Sequence, residues 1–228
     1  MTKKRMMTAF AMVLATAVCM LASCTQYDEG LRKGDLVFVG VQSDNSQISG
    51  TMSEAISDAT GDGELNFIHV AIIDVDDEGE WVIDATTEHG VARYPLSVFL
   101  SDFTLRDGTY PTFVVKRLRG FHDMDRYVGN ARSFCGRSYN LSFVPNDSSL
   151  YCSELVRDSY VTETGDTLFS AAPMNFKGPD GEFPAYWVGL FASLGTDIPQ
   201  DAPGTNPQDM ASAEILETVE VDITEISK

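Results

Sequence analysis

Short apolar runs separated by polar turns dominate the first half of the chain. Residues 36–39 form a brief apolar run, and residues 67–73 form a longer one that only His69 interrupts. An acidic turn separates this second run from residues 80–85, so the two runs are predicted to pair as a hairpin. Residues 112–118 alternate in polarity and predict another strand.

Apolar residues at helical spacing indicate helices mainly in the second half. The spacing predicts one helix within residues 121–134 and another over residues 148–160, whose first N–H groups Ser148 or Ser149 would cap. Residues 41–63 are rich in Ser, Asp, Thr and Gly, and we expect a short helix inside this long loop.

The remaining segments are shorter or less regular. Residues 90–94 are expected to pair with the hairpin, and residues 95–103 are expected to form a short helix. Prolines and aromatic residues alternate over residues 171–190, which predicts an irregular, packed segment. A closing strand is expected around residues 219–221. A strand-rich half followed by a helix-rich stretch predicts an α+β fold.

The N-terminus has the pattern of a secretory signal followed by a cysteine for lipid attachment. Three basic residues precede an apolar run over residues 6–21, which is shorter than the roughly 20 residues of a membrane-spanning helix. Leu-Ala-Ser before Cys24 resembles the bacterial lipobox. We therefore expect removal of residues 1–23, lipidation of Cys24 and a membrane tether over residues 24–32. Ordinary cleavage that leaves a free Cys24 is the alternative.

The charge balance limits the partners of the mature chain. After removal of residues 1–23, 13 basic residues remain against 34 acidic ones, a net charge of −21. Such a surface repels nucleic acid and anionic lipid, so we expect neither as a partner. Lipid on Cys24 would instead hold the protein in the cell envelope, at the periplasmic face or the outer-membrane surface.

Cys152 is the candidate nucleophile because it lies where a helix is predicted to begin. Free N–H groups and the helix dipole stabilise a thiolate at that position, and the same groups can bind an oxyanion during acyl transfer. A buried, inert cysteine is one alternative. A disulfide with Cys135, the only other cysteine of the mature chain besides Cys24, is a second alternative and would abolish the nucleophile.

His69 and Asp84 are the candidate partners of this thiol. A polar ring in an apolar strand can act as the base, and Asp84 on the next strand of the hairpin can orient that ring. The alternatives are a structural histidine and an aspartate that caps a turn. A zinc site built from His69, His89 and Asp84 matches no local ligand motif, so no metal and no cofactor is expected.

Several segments together resemble a known family. The Tyr-Cys-Ser-Glu-Leu segment around Cys152 is the most specific, and it occurs in the family's order after residues 34–38, 67–72, 82–85 and 136–140. This is the circularly permuted, NlpC-like branch of the papain-fold cysteine hydrolases, often called YiiX-like. The match runs from about residue 33 to about residue 213. Residues 33–228 are thus expected to form a permuted papain-like domain, with the nucleophile helix packed on an antiparallel sheet or small barrel.

The resemblance implies that Cys152 is the nucleophile, His69 the base and Asp84 the residue that orients it. Relatives often have Glu in the third role, so Glu88 is the alternative to Asp84. Residues Tyr151, Tyr139 and Asp35, within the matched segments, are expected to contact the substrate. Members commonly have Tyr-Asp where this chain has Tyr139-Asn140.

The implied activity is hydrolysis of an amide or peptide bond, with a cell-wall peptide as the expected substrate. Relatives of the same permuted fold act on lipid acyl groups, so an acyl-lipid hydrolase or acyltransferase is the alternative enzyme. A lipoprotein that keeps the cleft and binds a ligand without turnover is the non-enzymatic alternative.

Overall fold

The computed structural model describes residues 30–61 and 63–226. The predicted signal peptide, Cys24 and the tether up to residue 29 lie outside the described residues. The strands are β1 (Leu36–Gln42), β2 (Leu65–Asp76), β3 (Gly79–Thr86), β4 (Gly90–Pro95), β5 (Thr112–Leu118), β6 (Ser138–Tyr139), β7 (Ser149–Leu150), β8 (Ala172–Pro173), β9 (Pro203–Gly204) and β10 (Leu216–Val219). The α-helices are α1 (Met52–Thr60), α2 (Leu96–Asp102), α3 (Met124–Phe134), α4 (Cys152–Ser159), α5 (Ala185–Leu194), α6 (Pro207–Ala211) and α7 (Ile223–Ile226).

Six strands form one antiparallel sheet in the order β10-β5-β1-β2-β3-β4. β10 and β4 are its edges, so the sheet is open rather than a closed barrel. The mixed content confirms the predicted α+β class with an antiparallel sheet. None of the helices in the described part of the chain is long and apolar enough to cross a bilayer.

Alternating residues of the central strands bury the two faces of the sheet in different cores. On one face, Leu36, Phe38 and Ile72 pack against the apolar side of α4. On the other face, Val37 and Ile73 pack against α2. Because side chains alternate along a strand, this arrangement produces the nearly continuous apolar runs in the sequence.

The central strands change their pairing close to His69. Val39 pairs with His69 but Gly40 pairs with Phe67, so Ile68 is an extra residue, a β-bulge that locally twists β2. The pairing of β2 with β3 ends at Ile72 opposite Ile83. The end of β2 that carries His69 is therefore not paired with β3.

Three predictions of local structure were wrong. The nucleophile helix begins at Cys152, and its N-cap is Tyr151 rather than Ser148 or Ser149. The aromatic segment that was expected to be irregular contains the helix α5, and the closing strand β10 begins three residues earlier than expected.

Candidate active site

Cys152 is the first residue of α4, and its side chain is buried. The first hydrogen bond within the helix runs from the N–H of Leu155 to the carbonyl of Tyr151 at 2.9 Å. The N–H groups of Cys152, Ser153 and Glu154 therefore precede the helical ladder, and the positive end of the helix dipole lies beside the sulfur. These groups favour negative charge on the sulfur and on an oxyanion next to it.

Glu154 and Asn140 fix the start of this helix. The N–H of Tyr151 donates to the Glu154 carboxylate at 3.3 Å, and the Asn140 amide donates to the same carboxylate oxygen at 3.2 Å. Burial raises the pKa of Glu154, and the two hydrogen bonds oppose this effect. An aspartate at position 140 would place a second carboxylate here. Asparagine instead supplies a donor, which explains how this departure from the family pattern is accommodated.

His69 and Asp84 are in direct contact. His69 Nε2 lies 2.9 Å from Asp84 Oδ2, and the Tyr94 hydroxyl donates to Asp84 Oδ1 at 2.5 Å. Asp84 is fully buried. The two side chains that contact its oxygens, His69 and Tyr94, are also buried. Glu88 is exposed in the turn after β3. The geometry therefore favours Asp84 over Glu88 as the partner of His69.

The second ring nitrogen of His69 is the one that contacts Cys152. Burial lowers the pKa of His69, but the negative charge of Cys152 and hydrogen bonds to Asp84 and Cys152 outweigh it and raise the pKa to about 10. Since Nε2 faces Asp84, Nδ1 is the nitrogen that can exchange a proton with the sulfur. The ring of Phe103 lies 4.7 Å from the imidazole, centroid to centroid, and covers one side of it. The imidazole is thus held between the Asp84 carboxylate and the Cys152 sulfur, with one ring nitrogen for each partner.

Tyr139 and Tyr151 lie where substrate contact was expected. Both line the cleft beside Cys152. Burial and the charge of Cys152 raise the pKa of Tyr139, which therefore stays a neutral phenol. The Tyr151 hydroxyl accepts a hydrogen bond from the N–H of Thr205 at 3.1 Å, and burial raises the pKa of Tyr151 to about 12. Tyr151 consequently ties the start of the nucleophile helix to the segment that follows β9.

Asp35 does not lie in the cleft. Its buried carboxylate accepts two hydrogen bonds from Arg117, at 2.6 and 2.7 Å, and Arg117 also donates to the carbonyl of Gly30 at 3.1 Å. The Tyr160 hydroxyl, at the other end of α4 from Cys152, donates to the carbonyl of Gly34 at 2.8 Å. Asp35 therefore stabilises the segment where the chain enters the domain. It does not occupy the position in the cleft that substrate binding requires.

Two alternatives from the sequence concern the disulfide between Cys135 and Cys152 and the zinc site that includes His69 and His89. Both mature cysteines within the described residues are free thiols, so the Cys135–Cys152 disulfide is absent, and Cys135 is exposed. His89 lies 3.0 Å from Asp102 and is not part of the site. Within residues 30–61 and 63–226, no three His, Cys, Asp or Glu side chains are grouped closely enough to hold a metal ion.

The cleft beside Cys152 is narrow and lined by uncharged side chains. Its cavity volume is about 40 Å³, and the lining residues are Ile56, Ala59, Thr60, Tyr139, Phe143, Tyr151, Cys152, Ser153, Met174, Asn175, Phe176, Trp187, Thr205, Asn206 and Pro207. Phe143 has a φ of +53°, which is uncommon for a bulky residue, and its ring packs 5.4 Å from that of Trp187. The sequence did not predict that these aromatic residues form a wall of the cleft, although their density in the sequence indicated a packed segment.

Comparisons with known proteins show a family and a fold that this chain resembles. A family model described as permuted papain-like amidase enzyme, YaeF/YiiX, C92 family, matches residues 30–220. A solved structure of the metalloprotein yiiX from Escherichia coli O157:H7 has a TM-score of 0.62 and 24% sequence identity, and covers 84% of this chain and 97% of that chain. At this identity the likeness shows a shared fold alone. No curated protein sequence matches the chain.

Proposed function

This chain belongs to the permuted papain-like amidase family, YaeF/YiiX, C92, which makes it a cysteine hydrolase, and we propose that Cys152, His69 and Asp84 are its catalytic residues. The observation that carries this proposal is the contact of one imidazole with both partners, the Asp84 carboxylate at 2.9 Å and the Cys152 sulfur. A nucleophile, a base and an orienting group in this order form the arrangement that acyl transfer needs.

The proposed reaction proceeds through an acyl-enzyme. The Cys152 thiolate attacks the amide carbonyl carbon, and the helix N–H groups stabilise the oxyanion. The C–N bond breaks while the His69 imidazolium gives its proton to the departing amine. The neutral imidazole then takes a proton from water, which attacks the thioester carbon. The carboxylic acid leaves and Cys152 is regenerated. Asp84 keeps the imidazole oriented throughout.

The size of the cleft favours an amide substrate over an acyl lipid. Its volume of about 40 Å³ holds roughly three water molecules, which is the space of a short side chain and not of a fatty acyl chain. The uncharged lining favours an apolar or small acyl-side residue. We propose a cell-wall peptide as the substrate and the cell envelope as the location, with the membrane tether supplied by Cys24.

The acyl-enzyme can be used to identify the substrate. The chain is incubated with an extract of cell-envelope fragments and quenched in acid, and the mass added to Cys152 is measured. We expect adducts of peptide origin on Cys152 and none on Cys135, which serves as the internal control. If fatty-acyl adducts were the only ones found, the amide substrate would be wrong.

Asp84→Asn is expected to shift the alkaline limb of the pH–rate profile. Asp84 contributes to raising the pKa of His69 to about 10, so its loss lowers that pKa. Activity that depends on the imidazolium should then fall at lower pH than in the wild type, and kcat should drop by about 10³- to 10⁴-fold. The measurement is kcat/KM from pH 5 to pH 11.

The exposed Glu88→Gln is the matched control for this variant. It should leave both the alkaline limb and kcat unchanged. If Glu88→Gln shifted the limb and Asp84→Asn did not, Glu88 would be the orienting residue.

A further inference from the structure

A second cavity, which we call the polar groove, lies outside the catalytic cleft. Its volume is about 430 Å³. Residues 40–47 form one wall, and residues 105–112, between α2 and β5, form the other. No residue of the polar groove takes part in the proposed reaction.

The polar groove lies at the end of the sheet that carries His69. Val39 pairs with His69 on one side and with Phe113 on the other. The next pair, Gly40 with Thr112, belongs to the polar groove. Two strand spacings separate the row of Phe113 from that of His69, about 10 Å, which three extended residues span. A ligand that extends by about three residues beyond the polar groove would therefore reach the row of His69.

Hydrogen bonds hold the two walls in place. The Arg106 guanidinium donates to the carbonyl of Ser49 at 3.0 Å and so links the second wall to the chain just beyond the first wall. Asp107 accepts hydrogen bonds from the N–H and the hydroxyl of Thr109, which lower its pKa. The N–H of Leu105 donates to the carbonyl of Thr109 at 2.8 Å. The polar groove is thus preformed.

The lining combines one aromatic ring with planar polar groups. Tyr110 is 48% exposed, and its ring packs 6.0 Å from that of Phe113 beneath it. The side chains of Gln42, Asp44 and Gln47 make no hydrogen bond within the described part of the chain, although they line the polar groove. These groups are available to a ligand.

We propose that the polar groove binds an uncharged oligosaccharide, namely the sugar chain that carries the peptide substrate. The C–H face of a sugar ring packs on the exposed Tyr110 ring, and its hydroxyls bond to the amides and carboxylate along the walls. The lining contains no Lys or Arg, and two acidic side chains disfavour anionic ligands. This inference rests on the proposed function, because it assigns that substrate a sugar portion.

The test is titration of the full chain with the β-1,4-linked tetramer of N-acetylglucosamine, followed by backbone amide chemical shifts. We expect saturable shifts at the polar groove residues. Tyr110→Ala should weaken this binding by about fivefold to tenfold, the size of one lost aromatic contact. The absence of saturable shifts at the polar groove would overturn the proposal.

The control is Phe121→Ala, which removes a side chain that is 99% exposed but lies outside the polar groove. It should bind the tetramer like the wild type. Equal weakening by Phe121→Ala and Tyr110→Ala would overturn the proposal. The rate of Cys152 alkylation should be unchanged in Tyr110→Ala, so a failure of sugar binding remains distinguishable from a failure of the catalytic assignment.

Discussion

Cys152→Ala is expected to lower kcat for the amide substrate by about 10⁶-fold, the cost of removing the nucleophile from a catalytic triad. Alanine cannot form the acyl-enzyme, so the added mass on residue 152 should also vanish. The substitution removes one sulfur atom, and the helix start is held by Glu154 and Asn140. The thermal midpoint should therefore shift by only a few degrees.

Cys135→Ala is the matched control, since it removes the other free thiol within the described residues. It should keep full activity and the acyl adduct. A Cys152→Ala variant that retained more than a few per cent of wild-type turnover would show that another group is the nucleophile.

His69→Ala is expected to abolish turnover to a similar extent and to slow the alkylation of Cys152. Without a cationic partner a thiol is only a few per cent thiolate at pH 7, so the rate with iodoacetamide should fall by about 10- to 30-fold. The rate is followed by mass spectrometry of the peptide that contains Cys152. In the wild type, the buried Cys152 should react faster than the exposed Cys135, because the His69 imidazole contacts the Cys152 sulfur and can take its proton.

His89→Ala separates this effect from the loss of any imidazole. His89 is paired with Asp102 outside the site, so its removal should leave alkylation and turnover unchanged. Equal alkylation rates in wild type and His69→Ala would mean that the thiol does not depend on the imidazole, and the proposed pair would have to be abandoned.

The hairpin explains why the histidine–aspartate contact could be predicted from sequence. The polar residues His69 and Asp84 interrupt apolar runs on strands joined by a short acidic turn, so they were expected to lie close together. The register places Asp76 opposite Gly79. Continued along the strands, it puts Asp84 opposite Ala71, so the contact with His69 is diagonal. An aromatic ring such as that of His69 can reach a residue at a diagonal position in a sheet.

The helix in the wall of the cleft was missed because its apolar residues lack a repeating pattern. The helix α5 is apolar on all sides and has no periodic stripe. Its ends did carry a signal, since Pro184 precedes it and Gly195 follows it with a φ of +68°. Asp35 was misassigned because its partner, Arg117, is 82 residues away in sequence. A buried ion pair of this kind leaves no local pattern.

The place where the polypeptide joins the domain bears on how an anchored molecule would be oriented. Gly30 and Gly34 are held by Arg117 and Tyr160, at the opposite end of α4 from the sulfur. The helix separates these two ends by about 12 Å. With the lipid on Cys24 that we propose, the chain would enter the domain at the end of the helix that is remote from the sulfur.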